Sequence, residues 1–234
     1  MVWLAVSVLL GSAGAAARVV HVKMGWETGF VDSGLLPAKS IIELKSVNET
    51  NVNGGRSIHS LTVEKVSWAR EGEHVLKIYA DGRNYGTNGD YAFRAELSAV
   101  QDEYVFLPGD YHLFSMSFWP DGTTWDRVTK YSGLLMQWKM SPGFPHGALR
   151  LSNMGDYKLY FCGYDLWPVG DGGGNGRQIG YARRDAWNDV KFFYKKSINS
   201  DGVVRVWLNG NLVFEHYGKN LLKTTERGYT KFGQ

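Results

Sequence analysis

From residue 60 onward, apolar and polar residues alternate in short runs, each closed by Gly, Asn, Asp or Pro. A period of two marks a strand whose two faces meet different surroundings, so a chain built from many such runs is confined to all-β architectures. The runs are Ser60–Trp68, Val75–Asp81, Tyr91–Ala99, Tyr111–Trp119, Leu134–Met140, Gly147–Asn153, Lys158–Tyr164, Asp189–Lys196, Val203–Asn209 and Asn211–Tyr217. No helical stripe of comparable quality is present. Composition agrees: 29 Gly supply turns, and 9 Trp, 13 Tyr and 11 Phe favour strands. Asn209-Gly210 between two such runs is a two-residue type I′ hairpin signal, because both turn positions need positive φ. The pattern predicts a β-jelly-roll sandwich of two antiparallel sheets, with Phe93, Leu97, Met136, Trp138, Leu149 and Leu151 between them.

The remaining features bound the function. With Cys162 the only cysteine, an intramolecular disulfide and a cysteine-cluster zinc site are excluded, and the fold rests on its core. A net charge of +3, with both signs scattered, argues against nucleic acid as a partner. The six histidines show no metal-ligand spacing, and no local signature of a Ser/His/Asp site appears. Gly170-Asp171-Gly172-Gly173-Gly174-Asn175-Gly176 lacks the Gly-Lys-Ser/Thr ending of a phosphate loop and is read as a mobile loop near a cleft. Val2–Leu10 is apolar and Ala15-Ala16-Ala17 precedes Arg18, so residues 1–17 are read as a removable secretion signal and 18–234 as one domain. No other stretch approaches a membrane span, and no membrane partner is expected. Asn48-Glu49-Thr50 is a glycosylation sequon, which fits a secreted, extracellular chain.

Polar residues recurring at i and i+2 on otherwise apolar strands report a wet sheet face. Arg94 and Glu96 oppose Phe93, Ala95 and Leu97; Gln137 and Lys139 oppose a core set of Leu134, Met136, Trp138 and Met140. Arg150 and Ser152 project from the next run, and Lys158, Tyr160 and Cys162 share one side of the run after it. For any one of these a solvated surface role is the default. Together they make a basic, amide- and tyrosine-bearing floor suited to an acidic sugar polymer, because Arg forks onto carboxylates.

These residues resemble the jelly-roll polysaccharide lyases that cleave alginate and glucuronan. Arg94-Ala95-Glu96-Leu97 resembles the family's Arg-Ser/Thr-Glu-Leu strand, and Gln137-Trp138-Lys139 stands where a Gln-Ile/Val-His strand would follow. Tyr229-Thr230-Lys231-Phe232-Gly233 resembles the start of Tyr-Phe-Lys-Ala-Gly-x-Tyr, and Trp187 to Asn209 resembles strands of many lectin-like, concanavalin-type sandwiches. The resemblance looks closest to the glucuronan-lyase branch and implies endolytic β-elimination at a 4-linked uronate, with Arg94, Gln137 and Lys139 as catalytic residues. Arg94 and Gln137 would neutralise the uronate carboxylate and Glu96 would orient Arg94. Arg150, Tyr160, Tyr229 and Lys231 would bind substrate, as would Lys130, which also resembles a catalytic lysine of the algal-virus and mollusc alginate lyases. The family's histidine is Lys139 here, and the motif's final tyrosine, the usual acid/base, would fall just past Gln234. Either the domain is truncated at its C-terminus, or another group acts, such as Tyr160 or a Lys139 whose pKa Arg94 and Arg150 depress.

No cofactor is required by that chemistry; a structural calcium is compatible with it by analogy, with no ligands readable in the sequence, and the chain is expected to be a monomer. The alternative function is a non-catalytic carbohydrate-binding sandwich for acidic glycans. A retaining glucanase is the weakest reading, because it needs two carboxylates on one strand and no such run is present.

Overall fold

The computed structural model describes residues 2–11, 20–24, 44–48, 60–79, 95–99, 111–122, 133–141, 145–152, 156–163, 176–220 and 227–233. The elements are strands: β1 (Val2–Gly11), β2 (Val20–Met24), β3 (Leu44–Asn48), β4 (Ser60–Lys65), β5 (His74–Tyr79), β6 (Ala95–Ala99), β7 (Tyr111–Pro120), β8 (Gly133–Ser141), β9 (Pro145–Leu151), β10 (Lys158–Gly163), β11 (Arg177–Tyr181), β12 (Asn188–Lys195), β13 (Val203–Leu208), β14 (Asn211–Tyr217) and β15 (Arg227–Gly233). They form two antiparallel sheets. The first runs β14-β13-β12-β7-β1-β5-β4 with β2 beside β1, and the second β11-β10-β9-β8-β15-β6-β3. Strands distant in the chain lie side by side, as jelly-roll connectivity requires.

Alternation explains the core. On β7, Phe114, Met116 and Phe118 are buried; on β12, Val190, Phe192 and Tyr194; on β13, Val204, Val206 and Leu208. Met136, Leu149, Leu151, Leu159 and Phe161 face them from the second sheet, and the Phe161 ring lies 5.0 Å from Phe214 and 6.5 Å from Phe192. Each such side chain contributes roughly 1.5–3 kcal/mol on burial, against about 0–1 for an exposed ion pair, so the inner faces hold the sheets together. Three expected core residues, Met136, Leu149 and Leu151, are buried there. Phe93 lies outside the described residues, and Leu97 and Trp138 are described by backbone alone.

One register detail differs from the simple alternation. The β8–β9 pairing shifts between Leu134 and Met136, which sets Leu134 opposite Arg150. Leu134 is therefore half-buried, and Leu135 takes the buried place instead. A period-two reading has no means of registering such a bulge.

The 209–210 hairpin forms as expected, with Asn209 at φ 51° and Gly210 at φ 84°, and Leu208 pairs with Asn211. Asn209 also ties the turn to β12, because its Oδ1 accepts the Asp189 N–H at 2.9 Å. The apolar run assigned above to a secretion signal forms β1, in register with β7 from Val2↔Pro120 to Gly11↔Tyr111. Asn48 of the sequon ends β3, while Glu49 and Thr50 lie outside the described residues.

A polar floor on the second sheet

Because Met136, Leu149, Leu151, Leu159 and Phe161 point into the sandwich, alternation sends Gln137, Ala148, Arg150, Tyr160 and Cys162 to the opposite face. A solvated sheet face would leave these side chains exposed. Instead Gln137 is 7% exposed, Ala148 and Cys162 are buried, and Arg150 and Tyr160 are half-buried. The face is a covered floor, which argues against simple surface charge.

Two register rows organise it. Cys162, Ala148, Gln137, Lys231 and Ser98 stand opposite one another across β10, β9, β8, β15 and β6. Gln178, Tyr160, Arg150 and Leu134 form the next row across β11, β10, β9 and β8. Two residues along from Gln137 and Lys231, Lys139 pairs with Tyr229, and Glu96 pairs with Gly233. The fold thus brings Gln137, Lys139, Arg150, Tyr160, Tyr229 and Lys231 onto four consecutive strands, with Glu96 on the strand beyond. For Glu96, Lys139, Tyr229 and Lys231 the backbone alone is described. Arg94 and Lys130 lie outside the described residues, as does the 170–175 segment of the glycine-rich loop.

Two residues read from the sequence as floor groups have other work. The Lys158 ammonium pairs with Asp156 at 2.6 Å. Burial pushes the Asp156 carboxyl up, but hydrogen bonds from Lys158 and Ser152 outweigh it and leave the pKa below the usual carboxylate value. Ser152 is buried, and its N–H donates to the Lys158 carbonyl, so both residues close the 152–158 turn. Cys162 sits beneath Gly176, where an added Cβ would fall 2.5 Å from the Cys162 Sγ and 2.5 Å from the Phe161 carbonyl oxygen. Gly176 has φ +51°, so both its conformation and this contact require glycine. Burial raises the Cys162 pKa, and the nearby Arg150 charge offsets this only in part, so the thiol is neutral.

Arg150 is the electrostatic outlier of the floor. Its Nε is buried and has no hydrogen-bond partner among the described residues. Native structures seldom leave such a donor stranded, since an unmade hydrogen bond costs about 1–3 kcal/mol and more for a charged group. Gln178 and Ser98 joined the rows without being singled out in the sequence. Gln178 follows the glycine run and precedes Gly180, which hides the strand, and Ser98 reaches the row only through the long-range β6–β15 pairing. Among the described residues no three His, Cys, Asp or Glu side chains gather as a metal site would require.

The polysaccharide lyase family model matches residues 43–234. The endo-β-1,4-glucuronan lyase of the fungus Trichoderma reesei shares the fold at a TM-score of 0.56 and 18% identity, over 80% of this chain and 81% of that one. Alginate lyase Aly36B aligns at a TM-score of 0.39 and 16% identity, over 67% and 76% of the two chains. No curated protein matches the chain.

Proposed function

Since the chain belongs to the polysaccharide lyase family, we propose that its substrate is a 4-linked polyuronate, cut endolytically by β-elimination on the polar floor of the second sheet. The observation that carries this reading is the register row that sets the buried Gln137 amide beside Lys231, one row from Arg150 and Tyr160. Amide, cationic and phenolic groups on one covered face suit a polymer bearing a carboxylate on every sugar. The fungal neighbour acts on glucuronan, which makes glucuronan the first polymer to try and alginate the second.

In the proposed reaction a base removes the C5 proton, the electron pair forms a C4–C5 double bond, and the C4–O4 bond breaks. The departing O4 takes a proton, so one glycosidic bond yields one unsaturated uronate and one new chain end. Charge builds on the C6 carboxylate as the C5 proton leaves, and donors placed there accelerate the step because they bind tighter in the transition state. Gln137 supplies one such donor, and Arg94 pairs with the carboxylate already in the ground state. Lys139 and Tyr160 are the groups proposed to move protons, with Glu96, Tyr229, Lys231 and Lys130 in substrate binding. The chemistry calls for no redox group or nucleotide, and a structural calcium stays within the proposal. So do secretion of the chain after removal of residues 1–17, and a monomeric state.

The test is removal of Gln137. Gln137→Ala should lower kcat by about 10²–10³ with a smaller change in KM, the scale of losing one oxyanion-type donor. Arg94→Ala should raise KM as well as lower kcat, because its pairing also supports binding. Activity unchanged by both substitutions, with unaltered thermal unfolding, would overturn the site.

A further inference from the structure

We propose that Arg150 holds the carboxylate of a second uronate, next to the sugar being cleaved, and so makes consecutive uronates a requirement of this lyase. This rests on the polyuronate reading above and adds a specificity-determining residue to it. Three observations lead there. First, the Arg150 Nε is buried without a hydrogen-bond partner among the described residues. Second, among the described residues the Cys162 thiol lies under its charge, and that thiol is neutral and 1% exposed, so it supplies no counter-charge. A guanidinium held this way has its Nε donor unused among the described residues, and a carboxylate oxygen matches that edge of the fork. Third, Arg150 is one strand across and one row along from Gln137, because Gln137 pairs with Ala148. Such diagonal neighbours lie about 7–8 Å apart, which leaves room for the Gln137 amide and the Arg150 guanidinium to meet the carboxylates of two successive sugars. The Gln137 amide takes the reacting sugar and the Arg150 guanidinium, one row along, takes its neighbour.

An arginine kept for a ligand has a second consequence. In the free protein it is a cost, so replacing it with an apolar side chain of similar length should not weaken the fold. A purely structural arginine would behave in the opposite way.

The experiment measures binding of a glucuronan oligosaccharide, and of the same oligosaccharide with its carboxyls reduced to alcohols. Calorimetry is done in a Gln137→Ala background so that the ligand is not consumed. Adding Arg150→Met should weaken binding of the acidic oligosaccharide at least tenfold, leave the reduced one within twofold, and keep the unfolding temperature equal or higher. Arg150→Lys should recover part of the loss, because an ammonium keeps the charge and loses the fork. Equal affinity with and without Arg150, or equal loss on both ligands, overturns the proposal while leaving the polyuronate reading intact. Binding by the Arg150-containing protein that ignores the carboxyls overturns that reading and this proposal with it.

Discussion

Asn188 gives the sharpest prediction about the frame that carries the floor, because its turn joins β11 of the second sheet to β12 of the first. The side chain is 0% exposed. Its Oδ1 accepts the Arg183 N–H at 2.7 Å, and its Nδ2 donates to the carbonyls of Arg183 and Ala186, both at 2.9 Å. Asn188→Ala removes these three bonds, together with a long one from the Asn209 Nδ2 at 3.4 Å that adds little. At a net 0.5–1.5 kcal/mol each the loss is about 1.5–4.5 kcal/mol. The stranded groups belong to residues 183–186, and Arg183, Arg184 and Asp185 are exposed, so water reaches much of that turn. This places the expected cost at about 2–3 kcal/mol. For a domain of this size that is a fall in Tm of about 4–12 °C. Urea unfolding should show a lower midpoint at unchanged slope. Asn188→Asp should cost at least as much, because it keeps the acceptor but turns the donor into a second oxygen facing two carbonyls. A loss below about 0.5 kcal/mol for Asn188→Ala would refute the claim that this side chain staples the sheets.

Gly176→Ala should destabilise the β10–β11 edge by more than the roughly 1–2 kcal/mol of a left-handed alanine, since its Cβ also meets Phe161 backbone, and polymer affinity should fall with it. At Asp189, burial pushes the carboxyl up, but bonds from Ser117 and Arg70 and the charges of Arg70 and Arg183 bring its pKa below the ordinary value. A depressed folded pKa gives stability that is present above about pH 4 and lost as pH falls through the lower value, so Asp189→Asn should flatten the acid limb of the stability profile. An unchanged acid limb would remove Asp189 from that account. Mass spectrometry of the exported protein should find Arg18 at its N-terminus; a chain that keeps Val2–Gly11 would overturn the signal assignment and leave that run as β1.

The sequence carried those parts of the fold that depend on local alternation. The buried sets on β7, β12 and β13, and the Asn209-Gly210 turn, could be read directly, because side-chain direction and positive φ are written into neighbouring residues. Pairing between distant strands could not. That Gln137 lies beside Lys231 follows from β15 docking on β8, and the Arg227–Gly233 segment has few of the β-branched residues that announce a strand. Arg177–Tyr181 was hidden differently, by the glycine run before it and Gly180 within it. The floor residues were visible as polar positions on apolar strands, but their burial was not, and burial is what separates Gln137 and Arg150 from solvated side chains. Nor did the sequence signal that Lys158 would be taken by Asp156, since a turn must first bring the two together.

The central claim, that this polar floor eliminates across a 4-linked uronate, is tested most directly by incubating the protein with glucuronan and then alginate. Near-ultraviolet absorbance follows the new double bond, and product mass shows whether water has been added. The account predicts a steady rise in absorbance, chain fragments lacking the water that hydrolysis would add, and loss of both signals in Gln137→Ala protein that still unfolds normally. Tight polymer binding with no unsaturated product would contradict it and favour a carbohydrate-binding role. Fragments carrying added water would contradict it in favour of hydrolysis.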